Sequence, residues 1–80
     1  DGIDLEYGLT CGTGEEATIT KKMMTSSQTS IVLSDSSKIG QRGFARICEV
    51  GDIDILITDS GISDEMKKRI EHLGVKLIIV

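Results

Sequence analysis

Three short aliphatic runs constrain this chain more than anything else in it: "SIVLS" (Ser30 to Ser34), "DILIT" (Asp54 to Thr58) and "VKLIIV" (Val75 to Val80). The first two are continuously apolar rather than alternating, the pattern of a strand covered on both faces in a parallel sheet. Each lies too far from the next to be joined by a hairpin, so the connections must be crossovers. Between the last two runs, "SDEMKKRIEHLG" signs both ends of a helix. Ser63 is the N-cap, Asp64 and Glu65 sit in the first turn where the dipole favours acid, and Gly74 terminates. Met66, Ile70 and Leu73 form its apolar stripe.

Ahead of the first run the spacing predicts a helix from about Glu15 to Ser27, opened by a capping box of Thr13 and Glu16. At 100° per residue, Glu16, Ile19, Thr20, Met23 and Met24 fall on its inward side, with the two methionines as core filler. From Lys38 to Asp52 the pattern weakens around Gly40, Gly43 and Gly51, and reads as a loop, a short strand or extended segment near "FARICEV", and a turn. The alternation of strand and helix predicts an α/β class, a Rossmann-like parallel sheet with flanking helices.

A chain of 80 residues holds at most one small domain. Folding buries only about 60 to 65% of the surface such a chain exposes when unfolded. Aromatics are 2% of the residues, so Ile, Leu, Val and Met must build the core. The net charge of -4 argues against a nucleic-acid-binding surface within these residues, because phosphate contacts need clustered Lys and Arg. Cys11 and Cys48 lack CxxC or Cys/His spacing and His72 stands alone, so neither a zinc site nor a disulfide framework is expected, and no metal or cofactor. Two buried free thiols in a reducing cytoplasm is the expectation. No stretch is long and apolar enough to span a membrane, and Asp1-Gly2-Ile3-Asp4 is unlike a signal peptide. The chain begins without Met, in the middle of a pattern, as a fragment would.

Candidate chemistry gathers at strand exits. "VLSDSS" and "LITDSG" both leave an apolar strand through Ser/Thr-Asp-Ser, and in open parallel sheets ligands collect at the carboxyl ends of strands. Asp35, Ser36, Ser37 and Lys38 offer a sugar-hydroxyl acceptor, phosphate-binding hydroxyls and a cation. An ordinary Asx or Ser turn with Lys38 in solvent uses the same residue types equally well. Gly8, Gly12 and Gly14, with Thr13, lead into a helix N-terminus and form a second anion cradle or a plain turn. Glu16 either binds sugar hydroxyls or only caps its helix. Asp1 and Asp4 pair two carboxylates near a strand end, which raises acid-base chemistry. No Ser/His/Asp set accompanies them, and His72 suits the C-terminal end of the last helix.

Taken in order, "DGIDLEYGLTCGTGEEA", "VLSDSSKIG" and "DILITDSG" with the final helix and strand resemble the C-terminal half of the effector-binding domain of DeoR-family bacterial transcriptional regulators, over essentially all 80 residues. The resemblance implies a fold similar to ribose-5-phosphate isomerase and CoA transferases, incomplete here, and a phosphorylated sugar or sugar-metabolism intermediate as effector. Asp1 matches the aspartate of the family's Gly-Ala-Asp-Gly motif, Glu16 the Glu of its Glu-Ala pair, and Asp35 and Lys38 its Asp-Ser-Ser-Lys element. With Gly12, Thr13 and Ser37 these make the expected ligand set. The isomerases carry a Lys before their glycine run where this chain has Thr10 and Cys11, so no catalytic residue is expected and binding without turnover is preferred to a sugar-phosphate isomerase or CoA-transferase-like enzyme. A small α/β interaction module is the third alternative. The resemblance places DNA contact in an N-terminal domain absent from these residues, together with the first half of the sensor domain. It also implies a cytoplasmic homo-oligomer with no membrane partner, and exposed apolar strand surface that promotes self-association.

Overall fold

The computed structural model describes residues 1–80. The three aliphatic runs form a parallel sheet, as their pattern requires. Its strands are β3 (Ile31–Leu33), β5 (Ile55–Thr58) and β6 (Lys76–Ile79), in the order β3-β5-β6. Ile31 pairs with Ile55, and Ile55 in turn with Lys76, so β5 is the central strand. Helix α2 (Asp64–His72) makes the crossover from β5 to β6, and the Ser63 hydroxyl accepts the Met66 amide at its start. Gly74 follows its end at φ +87°, a left-handed conformation that glycine adopts without a steric penalty.

A second sheet departs from the single-sheet expectation. β1 (Gly2–Asp4), β2 (Gly8–Cys11) and β4 (Ala45–Cys48) form an antiparallel sheet in the order β1-β2-β4. The run Gly8 to Cys11 reads as a loop because of its small residues, yet all four are buried. Its polar member is satisfied: the Thr10 hydroxyl accepts the Gly43 amide at 2.6 Å and donates to the Gly2 carbonyl at 3.3 Å. Thr10 therefore tolerates the interior of a sheet. β4 is the short strand expected near "FARICEV", and it pairs with β2.

Helix α1 spans Gly14–Thr25, ending two residues short of the expected boundary, where the Ser27 hydroxyl turns back onto the Met23 carbonyl at 2.7 Å. Its inward face is also rotated. Ala17 is buried while Ile19 and Met23 are 61% and 64% exposed, so these two are not core filler. The helix lies over β2 and β4, and the small Ala17 side chain permits that approach. Of the two methionines in α1 only Met24 packs inward, its Sδ 3.8 Å from the Cys48 Sγ. The capping is one-sided: the Thr13 hydroxyl accepts the Glu16 amide at 3.1 Å.

One hydrophobic cluster joins the two sheets, with Ile3, Leu9 and Ile47 on one side and Leu56, Ile70 and Val75 on the other. Leu73, expected in the stripe of α2, is 43% exposed. Nor is β3 covered on both faces. Ile31 and Leu33 are 59% and 77% exposed and only Val32 turns inward, because no element covers the face of β3 that carries them. Both thiols are free, Cys11 buried and Cys48 half-buried rather than fully buried. No helix is long and apolar enough to cross a membrane.

Candidate functional site

A cleft of about 700 Å³ opens between the two sheets, at the carboxyl ends of β3 and β5. Ile3, Leu9 and Ile47 line it from the antiparallel sheet, and Ile31, Val32 and Leu33 of β3 from the parallel one. Four of the seven sequence-predicted ligand residues reach it: Asp1 before β1, Glu16 in the first turn of α1, and Asp35 and Lys38 after β3. Lys38 is the one basic side chain among the lining residues, which hold these three carboxylates and that of Asp59.

The other three stand outside it. Gly12 and Thr13 lie in the exposed turn before α1, where the Thr13 hydroxyl is occupied as helix cap. Ser37 also falls outside the lining, and its hydroxyl is bound back to the Asp35 carboxylate. The glycine-rich segment is thus strand plus cap rather than a continuous cradle, since Gly8 begins β2.

Asp1 and Asp4 do not act as a pair. Asp1 precedes β1 and Asp4 is its last residue, three positions along an extended strand and a span of roughly 10 Å. The Asp4 carboxylate accepts the Tyr7 and Glu6 amides, both at 2.9 Å, and closes the turn into β2. Those amides, Tyr7 first, hold its carboxyl below the usual carboxylate range, with Arg42 adding to the effect. Asp4 is a turn residue and does not line the cleft. His72 lies in the last turn of α2, as expected for a cation at the dipole's negative end, and does not line the cleft.

Asp59, which no sequence expectation singled out as a site residue, organises the mouth. Its carboxylate accepts the Ser36 amide at 2.9 Å, the Ser36 hydroxyl at 2.7 Å and the Gly61 amide at 2.8 Å. These donors, Ser36 first, draw its pKa down. The exit of β5 thereby clamps the single 3₁₀ turn Ser36–Lys38, which carries Lys38. The signal was the echo of Ser/Thr-Asp-Ser after two strands: the second copy holds the first. Gly61 belongs to the same clamp, since a Cβ there would lie 2.5 Å from the Ser36 hydroxyl oxygen.

Below the clamp, Thr58 lines the cleft while 1% exposed, and its hydroxyl has no hydrogen-bond partner within the chain. An unpaired buried hydroxyl costs about 1–3 kcal/mol. Chemically, the cleft presents acceptors suited to hydroxyl donors, one ammonium suited to an anion, and an apolar lining. No three His, Cys, Asp or Glu side chains come together in a way that could hold a metal ion.

The family model for the DeoR C terminal sensor domain matches residues 1–60. The chain is 35% identical over 99% of its length to the uncharacterized HTH-type transcriptional regulator YulB of Bacillus subtilis, covering 31% of that protein. It is 32% identical over its full length to the putative aga operon transcriptional repressor of Escherichia coli O157:H7, covering 30%. The HTH-type transcriptional regulator GlpR of Haloferax volcanii is 30% identical over 98% of the chain, which covers 31% of that relative. The chain thus spans less than a third of the length of these curated relatives.

Proposed function

This chain belongs to the DeoR family of transcriptional regulators, within the C-terminal sensor domain, and we propose that it is the effector-contacting part of a regulator that binds a phosphorylated sugar. The family is one of regulators, not enzymes. The observation that carries the ligand class is the cleft itself: Lys38 is its single basic side chain, set against Asp1, Glu16 and Asp35 at the carboxyl ends of parallel strands. A phosphate seeks the ammonium, and a sugar's hydroxyls satisfy the carboxylates.

In this reading the remaining two thirds of the protein supply a DNA-binding N-terminal domain and the rest of a sensor fold related to ribose-5-phosphate isomerase. In the same reading the regulator acts in the cytoplasm. Ligand binding favours one of two states of a homo-oligomer and so shifts DNA affinity by its differential affinity for the two. The exposed Ile31 and Leu33 edge supports burial against another part of that assembly.

The test is a calorimetric titration of the full-length regulator with a panel of sugar phosphates, with inorganic phosphate as charge-only control. Saturable binding stronger for one sugar phosphate than for phosphate, weakened at least tenfold by Lys38→Ala, is expected from the loss of a charge-assisted contact of about 1.5–3 kcal/mol. Equal binding by wild type and Lys38→Ala refutes the site and favours a plain interaction module.

A further inference from the structure

We propose that Thr58 is a specificity-determining residue of the cleft, hydrogen-bonded through its hydroxyl to a hydroxyl group of the bound ligand. The proposal rests on the sugar-phosphate reading above and adds where the sugar's hydroxyls are recognised. Thr58 is the last residue of β5, 1% exposed, and its Oγ1 finds no partner although it borders the cleft.

Thr10 provides the internal contrast. It is 3% exposed and also lines the cleft, yet its hydroxyl both accepts from Gly43 and donates to Gly2. No such partner within the chain serves the Thr58 hydroxyl. The Asp59 carboxylate is taken up by Ser36 and Gly61, and the Thr58 carbonyl accepts the Val80 amide at 2.9 Å. Valine matches threonine in branching and size and lacks only the hydroxyl, so filling space at this position does not call for that group.

The chemistry of the surroundings selects the partner. Thr58 is deep, whereas Asp1, Glu16 and Asp35 at the mouth are exposed. A bare anion is repelled by those carboxylates and reaches only Lys38. A polyhydroxylated ligand satisfies the rim with outer hydroxyls and can send one inward to Thr58, which serves it as donor or acceptor.

Full-length wild type, Thr58→Val and Thr58→Ser are titrated calorimetrically with glucose 6-phosphate, fructose 6-phosphate, ribose 5-phosphate, glycerol 3-phosphate and inorganic phosphate. For the sugar phosphate that wild type prefers, Thr58→Val should bind about tenfold more weakly, Thr58→Ser within about twofold, and inorganic phosphate should be indifferent to both. Wild-type affinity in Thr58→Val overturns the proposal while leaving the sugar-phosphate reading in place. Equal loss in Thr58→Val and Thr58→Ser overturns it as well, because a methyl-dependent effect reports packing. Absence of sugar-phosphate binding by wild type removes the underlying reading, and this proposal with it.

Discussion

Replacing Gly61 by alanine isolates the clamp at the cleft mouth from every other effect of substitution. Gly61 is not among the glycines with positive φ, so alanine suits its backbone and only space opposes it. A Cβ there meets the Ser36 hydroxyl oxygen at 2.5 Å and the Asp59 Oδ1 at 2.9 Å, both parts of the clamp. One of them must move, and an extra carbon forced into an occupied site costs about 1–3 kcal/mol. For the 80-residue chain by itself the urea m-value is about 1 kcal/mol per M, so its unfolding midpoint should fall by about 1–3 M. Amide exchange at Ser36 should accelerate in parallel, since its acceptor is Asp59. Gly12→Ala is the control: nothing lies within 4 Å of a Cβ at that position. It should leave the midpoint unchanged or raise stability by up to about 1 kcal/mol through the unfolded chain. A Gly61→Ala protein with wild-type midpoint and wild-type exchange would refute the clamp.

Acid should act through Asp59 and Asp4, whose carboxyls are held below the usual range, by Ser36 first in one case and Tyr7 first in the other. With the folded pKa depressed, the unfolded chain takes up these protons first as pH falls. Their stabilisation is fully present above the unfolded pKa and is lost as pH falls through the folded values. The urea midpoint should therefore stay level from about pH 7 to 5 and drop below about pH 4, with a shallower drop in Asp59→Asn; a midpoint that rises on acidification contradicts the assignment. On the open face of β3, Leu33→Lys should weaken concentration-dependent association of the 80-residue chain, read by light scattering after size exclusion. A wild-type chain that is monomeric at every concentration refutes the role of that face.

Local rules made the parallel sheet and α2 legible. β3, β5 and β6 are aliphatic runs that nothing else explains, and Ser63 and Gly74 mark the helix from both ends. β2 escaped because Gly8, Thr10 and Cys11 are poor strand signals one at a time; their burial depends on the Gly43 amide reaching Thr10 across 33 residues. The face of α1 was misjudged because the pattern ranks Ile19 and Met23 above Ala17 by hydrophobicity, whereas the approach to β4 favours the smallest side chain. At the site, Asp35 and Lys38 follow from a local motif. Their meeting with Asp1 and Glu16 is set by how two sheets stack, which no local spacing encodes. Asp59 and Thr58 stood in plain view in "LITDSG", but a hydroxyl becomes conspicuous only when its lack of a partner is known.

The open edge of β3 gives the cleft a second handle. Only Ser34 separates the end of β3 from Asp35, and the unpaired side of the strand offers backbone donors and acceptors to any strand laid beside it. A contact that straightens or shifts β3 moves Asp35 and Lys38 against the Asp59 anchor, and so alters affinity for whatever they hold. The linkage runs both ways with equal free energy: a ligand that draws this turn into one position strengthens or weakens the edge contact by the same factor. In the regulator proposed above, this one short strand is the element through which binding and assembly would be coupled.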